Sequence, residues 1–210
     1  MQETVGHISQ PGESLQQSPF ILTMNIINTI THIMLGGVAF GAIYFANLII
    51  EPNEVKQHIY CCVIGYVILM AQAILAMNPY NSWSNILLHQ DKKICHWVMQ
   101  ILGSIIALAG GIIQITNRNI IRHFSTAHGV LGLIAMILTV LSLVGGVFNI
   151  YSSRLRLNVT LVRICHMTLG CLVIITAFLA LCLAFHIVYR AVMGNANATL
   201  LIALTVLSLY

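Results

Sequence analysis

The chain has 210 residues, of which 59% are hydrophobic and only 7% charged, with a mean hydropathy of +0.92. Soluble domains carry about a quarter of their residues charged, so the composition argues against a water-soluble fold and for one membrane domain. The net charge of +4 comes from nine scattered basic residues against five acidic ones, with no basic run or aromatic interleaving of the kind that follows nucleic acid, so no nucleic-acid partner is expected.

Residues 1–19 read as a polar tail ahead of a membrane domain over residues 20–210. The tail has no basic n-region and no small-residue cleavage site, so the first apolar run is expected to act as its own insertion signal. A helix needs roughly 20 apolar residues to cross a hydrocarbon core about 30 Å thick. Six stretches supply or approach that length: Phe20 to Ile50, Gln57 to Met77, Ile94 to Ile115, Phe124 to Ile150, Val162 to Val188, and Ala196 to Tyr210, which is the shortest. The predicted fold is therefore an all-α membrane protein of six transmembrane helices. Polar breaks such as Glu51 to Glu54, Asn117 to Asn119 and Gly194-Asn195 carry the turns between them.

An even number of spans puts both termini on one side. Placing them in the cytoplasm puts Lys92, Lys93, Arg154, Arg156 and Arg163 inside, against Lys56, Arg118, Arg122 and Arg190 outside, which favours that orientation by one residue. The sequons at Asn158 and Asn197 fall on opposite sides in this arrangement and read as chance matches. All six cysteines lie in or beside apolar runs and read as small packing residues, not as loop staples.

An ionisable side chain inside a membrane is a functional hypothesis by default, and the chain has nine histidines. His7 and His89 fall in polar segments. His32 is expected to bond to a neighbouring helix and His186 to lie near an interface. His58, His96, His128 and His166 differ, because each sits near the start of one of spans two to five. His58 and His96 are 38 residues apart, as are His128 and His166. Gly65 and Gly103 follow the first two by seven residues, and Gly132 and Gly170 follow the second two by four. Both offsets return to one helix face, so each histidine is expected to be followed by space for a flat, bulky group such as a porphyrin. The echo of Lys93-Ile94-Cys95-His96 in Arg163-Ile164-Cys165-His166 suggests a repeated two-helix unit.

Successive helices run antiparallel, so the histidines pair as His58 with His128 and His96 with His166. A four-helix bundle of spans two to five would then hold two b haems, each between two imidazoles with no open axial position, an arrangement suited to electron transfer. One turn inside each face places the irons ~20 Å apart. The glycine pairs 36–37, 110–111 and 145–146 read as sites of close helix approach.

The segments Cys95 to Val98, His123 to Gly132 and Arg163 to Gly170, together with His58, resemble the eukaryotic cytochrome b561 family over roughly residues 55 to 185, and most closely its small single-domain tumour-suppressor-like branch. The resemblance implies an ascorbate-dependent transmembrane oxidoreductase with a monodehydroascorbate or ferric reductase activity. By it, His96 and His166 hold the cytoplasmic haem, and His58 and His128 the outer or lumenal one. It also admits a homodimer, and an endoplasmic-reticulum, vesicle or plasma membrane location. The chain departs from the chromaffin-granule type in having no basic residue over Ala73 to Asn78 and Ser125-Thr126-Ala127 before His128.

Ascorbate is an anion, so Lys92, Lys93, Arg163 and Arg156 are the expected contacts beside the cytoplasmic ligands. Lys56, Arg122 and His123 are the expected far-side set for an anionic product or a ferric complex. The alternative is a histidine-lined metal-ion or proton transporter without haem, which would need carboxylates or other polar groups between the two histidine layers. Leu, Ile, Val and Gly are expected there instead.

Overall fold

Once water is excluded, a long apolar segment must satisfy its own backbone N–H and C=O groups, and a helix does so within a single stretch of chain. The computed structural model describes residues 18–49, 53–81, 83–116, 124–186 and 194–209, and every element among them is helical. Five helices are long and apolar enough to cross a membrane: α1 (Pro19–Leu48), α2 (Asn53–Ala76), α3 (His89–Thr116), α4 (Ala127–Tyr151) and α5 (Val159–Ala184). The sixth, α6 (Asn195–Leu207), is apolar but has 13 residues. At 1.5 Å per residue that is roughly 20 Å, short of a full crossing. Most of the polar tail, Arg118, Arg122, His123 and Arg190 lie outside the described residues.

Local chemistry sets the boundaries. Pro19 opens α1, where its missing N–H is an orphan anyway. Thr126 caps α4 by accepting from the Gly129 N–H at 3.2 Å, and Asn158 caps α5 by accepting from the Leu161 N–H at 3.1 Å. The asparagine of the first sequon is thus a helix cap. His89 belongs to α3, which starts five residues before the expected Ile94 because Asp91, Lys92 and Lys93 extend the helix as a polar first turn.

In α2 the winding changes. Val63–Met70 is π-helical between α-helical flanks, a feature the apolar pattern does not reveal and one frequent at functional sites.

Packing pairs α2 with α3 and α4 with α5, joins these pairs through α3–α4 and α2–α5 contacts, and sets α1 against α2 and α6. Val38, Ala42, Val63, Ala107, Ala135, Val173 and Phe178 fill the core; the many alanines let backbones approach closely. Ile105, Val147, Leu161 and Ile164 are exposed, as the lipid face requires. All six cysteines are free, but Cys165 and Cys171 are exposed, so these two are not the packing residues expected.

Polar bonds tie α1 to the loop after α2. Asn28 donates to the Tyr80 carbonyl at 3.1 Å and accepts from Asn78 at 3.2 Å, while His32 Nε2 donates to Asn81 Oδ1 at 2.8 Å. His32 therefore bonds to an interhelical loop, not to another helix. Asn81 is fully buried and its Nδ2 has no partner among the described residues, so His32→Phe would orphan its oxygen as well. The expected loss is about 1–3 kcal/mol, read as a lowered thermal midpoint in detergent at unchanged cofactor content.

Candidate functional site

The four histidines come from four different helices and meet in two pairs. The His58 and His128 rings lie 6.1 Å apart between centroids at 87°, and those of His96 and His166 lie 6.4 Å apart at 89°. His58 Nδ1 donates to the Gly110 carbonyl near the end of α3, and His96 Nδ1 to the Ala73 carbonyl near the end of α2. The pairs therefore sit at opposite ends of the α2–α5 bundle, as antiparallel chain direction demands.

Both pairs fit a bound metalloporphyrin. A carbonyl can only accept, so the bonds of His58 (2.9 Å), His96 (2.8 Å) and His128 to Ala180 (2.8 Å) place the proton on Nδ1 and make Nε2 the lone-pair nitrogen of each ring, the one that ligates a metal. Two metal–nitrogen bonds of ~2.1 Å plus two ring half-widths of ~1.1 Å give a centroid separation of ~6.4 Å, close to both observed values and too long for a direct ring-to-ring hydrogen bond. Beside the first pair is a cavity of about 390 Å³ lined by His58, Tyr66, Phe124, His128, Gly132 and Phe178, among others. His166 Nδ1 is a buried atom with no hydrogen-bond partner among the described residues.

The glycines divide. Gly132 and Gly170 face open space, with nothing within 4 Å of an added Cβ, and Gly132 lines the cavity. Gly65 and Gly103 do not open room for a cofactor. A Cβ on Gly65 would lie 2.6 Å from Ala107 Cβ and from the Gly103 carbonyl oxygen, and one on Gly103 would lie 3.0 Å from the Gly65 oxygen. They are the crossing point of α2 and α3.

The π-helical stretch moves Gly65 away from the His58 stripe. In an unbroken α-helix seven steps of about 100° return Gly65 to within roughly 20° of His58. With four α steps to Cys62 and then smaller π steps of about 82°, Tyr66 comes to within roughly 10° of that stripe and Gly65 rotates off it. Gly145 and Gly146, expected only as packing residues, form the seat of His166: added Cβ atoms would come within 3.6 Å of its Nδ1 and 3.3 Å of its Cε1.

The charged candidates that are described differ in exposure. Lys92 is buried, at 8% exposure, in the first turn of α3, whereas Lys93, Arg156 and Arg163 are exposed. Arg156 takes φ 55° in the turn between α4 and α5. Lys56 is half-buried on α2, two residues before His58; its proposed companions Arg122 and His123 lie outside the described residues. His186 is exposed just beyond α5.

A family model described as eukaryotic cytochrome b561 matches residues 57–190, which contain all four paired histidines. Among curated proteins, the chain is 29% identical over 138 residues to human (Homo sapiens) transmembrane reductase CYB561D2, and 29% and 28% identical over the same length to the bovine (Bos taurus) and mouse (Mus musculus) proteins of that name. Each match covers 63% of this chain and 62% of the relative.

Proposed function

The chain belongs to the eukaryotic cytochrome b561 family, and from that membership we propose that it is a transmembrane reductase carrying electrons from cytoplasmic ascorbate to a non-cytoplasmic acceptor, the monodehydroascorbate radical or ferric iron. The observation that supports this most is the two facing imidazole pairs, 6.1 and 6.4 Å between centroids, at opposite ends of one bundle. Haem b held by the two imidazoles of each pair would supply a one-electron carrier. His96 and His166 hold the cytoplasmic one, His58 and His128 the other.

The chain's own residues do the rest. The carbonyls of Gly110, Ala73 and Ala180 hold three imidazoles in the ligating tautomer, and the apolar bundle keeps water from the path between the layers. Lys92, Lys93 and Arg163, with Arg156 further along the same face, attract and orient the ascorbate anion. Lys56, Arg122 and His123 serve the acceptor side. Gly132 and Gly170 leave room for the porphyrin faces.

In sealed vesicles loaded with ascorbate, the haem-replete protein is expected to reduce an external ferric chelate, and loss of that reduction on omitting internal ascorbate would accompany it. An intact haem-replete preparation that passes no electrons would overturn the proposal. Lys93→Ala and Arg163→Ala should each raise the ascorbate KM about five- to tenfold, the loss of one charge-assisted contact, with haem content unchanged. A drop in kcat alone would place them elsewhere than on the donor.

A further inference from the structure

Between the two histidine layers the bundle buries Tyr66 on α2, Ser104 on α3, Thr139 on α4 and Val173 on α5. Tyr66 is eight residues past His58 and seven before Ala73, whose carbonyl holds His96. Val173 is seven residues past His166 and seven before Ala180, whose carbonyl holds His128. All four are buried, and only Tyr66 is aromatic. Phe178 and Phe185, the other large buried rings, flank Ala180 and so belong to the His128 layer.

Tyr66 is held there. Thr139 donates its single hydroxyl proton to the Ala135 carbonyl at 2.7 Å, so the 3.2 Å contact between Tyr66 and Thr139 must use the tyrosine proton. The chain Tyr66 to Thr139 to Ala135 satisfies a hydroxyl that lipid would otherwise penalise, and it fixes the ring's direction. The same ring lines the cavity beside His58 and His128, and the π-helical winding of Val63–Met70 has turned it onto the His58 stripe. A polar aromatic side chain, a second hydroxyl to anchor it and a rare helix form that aims it are more than an apolar core needs.

We propose that Tyr66, anchored by Thr139, is the positioning residue between the two haem sites, filling the gap so that electrons cross a packed ring instead of a void. This rests on the two-haem reading above. No bond is made or broken at the tyrosine, which keeps its proton; one electron leaves one haem and arrives at the other.

The test is the rate of electron equilibration between the haems after a reducing pulse, measured on purified protein alongside haem per chain and the two midpoint potentials. Tyr66→Leu should slow equilibration about tenfold with two haems retained and both potentials unmoved. Tyr66→Phe, which keeps the ring but loses its anchor to Thr139, should slow equilibration only about threefold. Equal rates in the parent and Tyr66→Leu at full haem content would overturn the role of Tyr66 while leaving the two-haem reading intact; a parent chain that binds no haem would overturn both. Should Tyr66→Leu lose a haem, Thr139→Val decides: freeing the ring should slow equilibration about threefold, and an unchanged rate at full haem content would overturn the proposal.

Discussion

His166→Ala is expected to lower the haem content of the purified protein from two per chain to about one. The imidazole leaves the pair it forms with His96 at 6.4 Å, and its seat against Gly145 and Gly146 becomes a void. The opposite pair keeps both rings, with His58 tied to Gly110 and His128 to Ala180. The loss should therefore be confined to one site, and His128→Ala should produce the complementary species. Haem per chain and the low-temperature electron paramagnetic resonance spectrum check this, each variant lacking a different one of the two parent signals. Equal depletion of both signals by either variant would show that the histidines do not form independent sites.

Gly65→Leu is expected to abolish both haems and not one. The first atom added to Gly65 would already lie 2.6 Å from Ala107 Cβ and the Gly103 carbonyl oxygen, and 2.8 Å from the Ala107 nitrogen. Backbone cannot yield as a flexible side chain can, so α2 and α3 must part. Overpacking of this kind costs about 1–3 kcal/mol or more. These two helices supply one ligand to each pair and exchange the carbonyl bonds of His58 and His96, so their separation disturbs both ends at once. Gly132→Leu, which meets nothing within 4 Å along the first added bond, should fold normally and impair only the His58 and His128 site. The comparison is read from thermal stability of the haem-free protein together with haem per chain. A Gly65→Leu chain of parental stability that fills one site selectively would contradict the helix-crossing role.

The contrast between these glycines shows what the sequence could and could not disclose. Pairing of His58 with His128 and of His96 with His166 was legible because two equal spacings and antiparallel chain direction are properties of order along the chain. The five long spans were legible for the same reason, as unbroken apolar length. The position of Gly65 was misread because a seven-residue offset returns to one face only in an α-helix, and the π-helical stretch Val63–Met70 changes the count. No residue in VIGYVILM announces that winding. Likewise the acceptors of the histidine Nδ1 protons are backbone carbonyls of Gly110, Ala73 and Ala180, which have no side-chain signature.

The space between the histidine layers also differs from the apolar content expected of it. Tyr66, Ser104 and Thr139 are there, but Tyr66 bonds to Thr139, Thr139 to the Ala135 carbonyl, and Ser104 to Met70 Sδ at 3.8 Å. Hydroxyls closed on one another and on the backbone offer no ladder of ion ligands. The described residues at this level include no carboxylate, so the transporter alternative gains nothing from them.

The central claim is that four imidazoles on neighbouring helices clamp two haems, one toward each membrane face. Haem b per chain, measured as the pyridine haemochrome of purified, haem-replete protein, tests it most directly. Two per chain is the expected value; protein purified from cells supplied with excess haem that holds none, or a stoichiometry of one that no single histidine substitution alters, would refute the two sites.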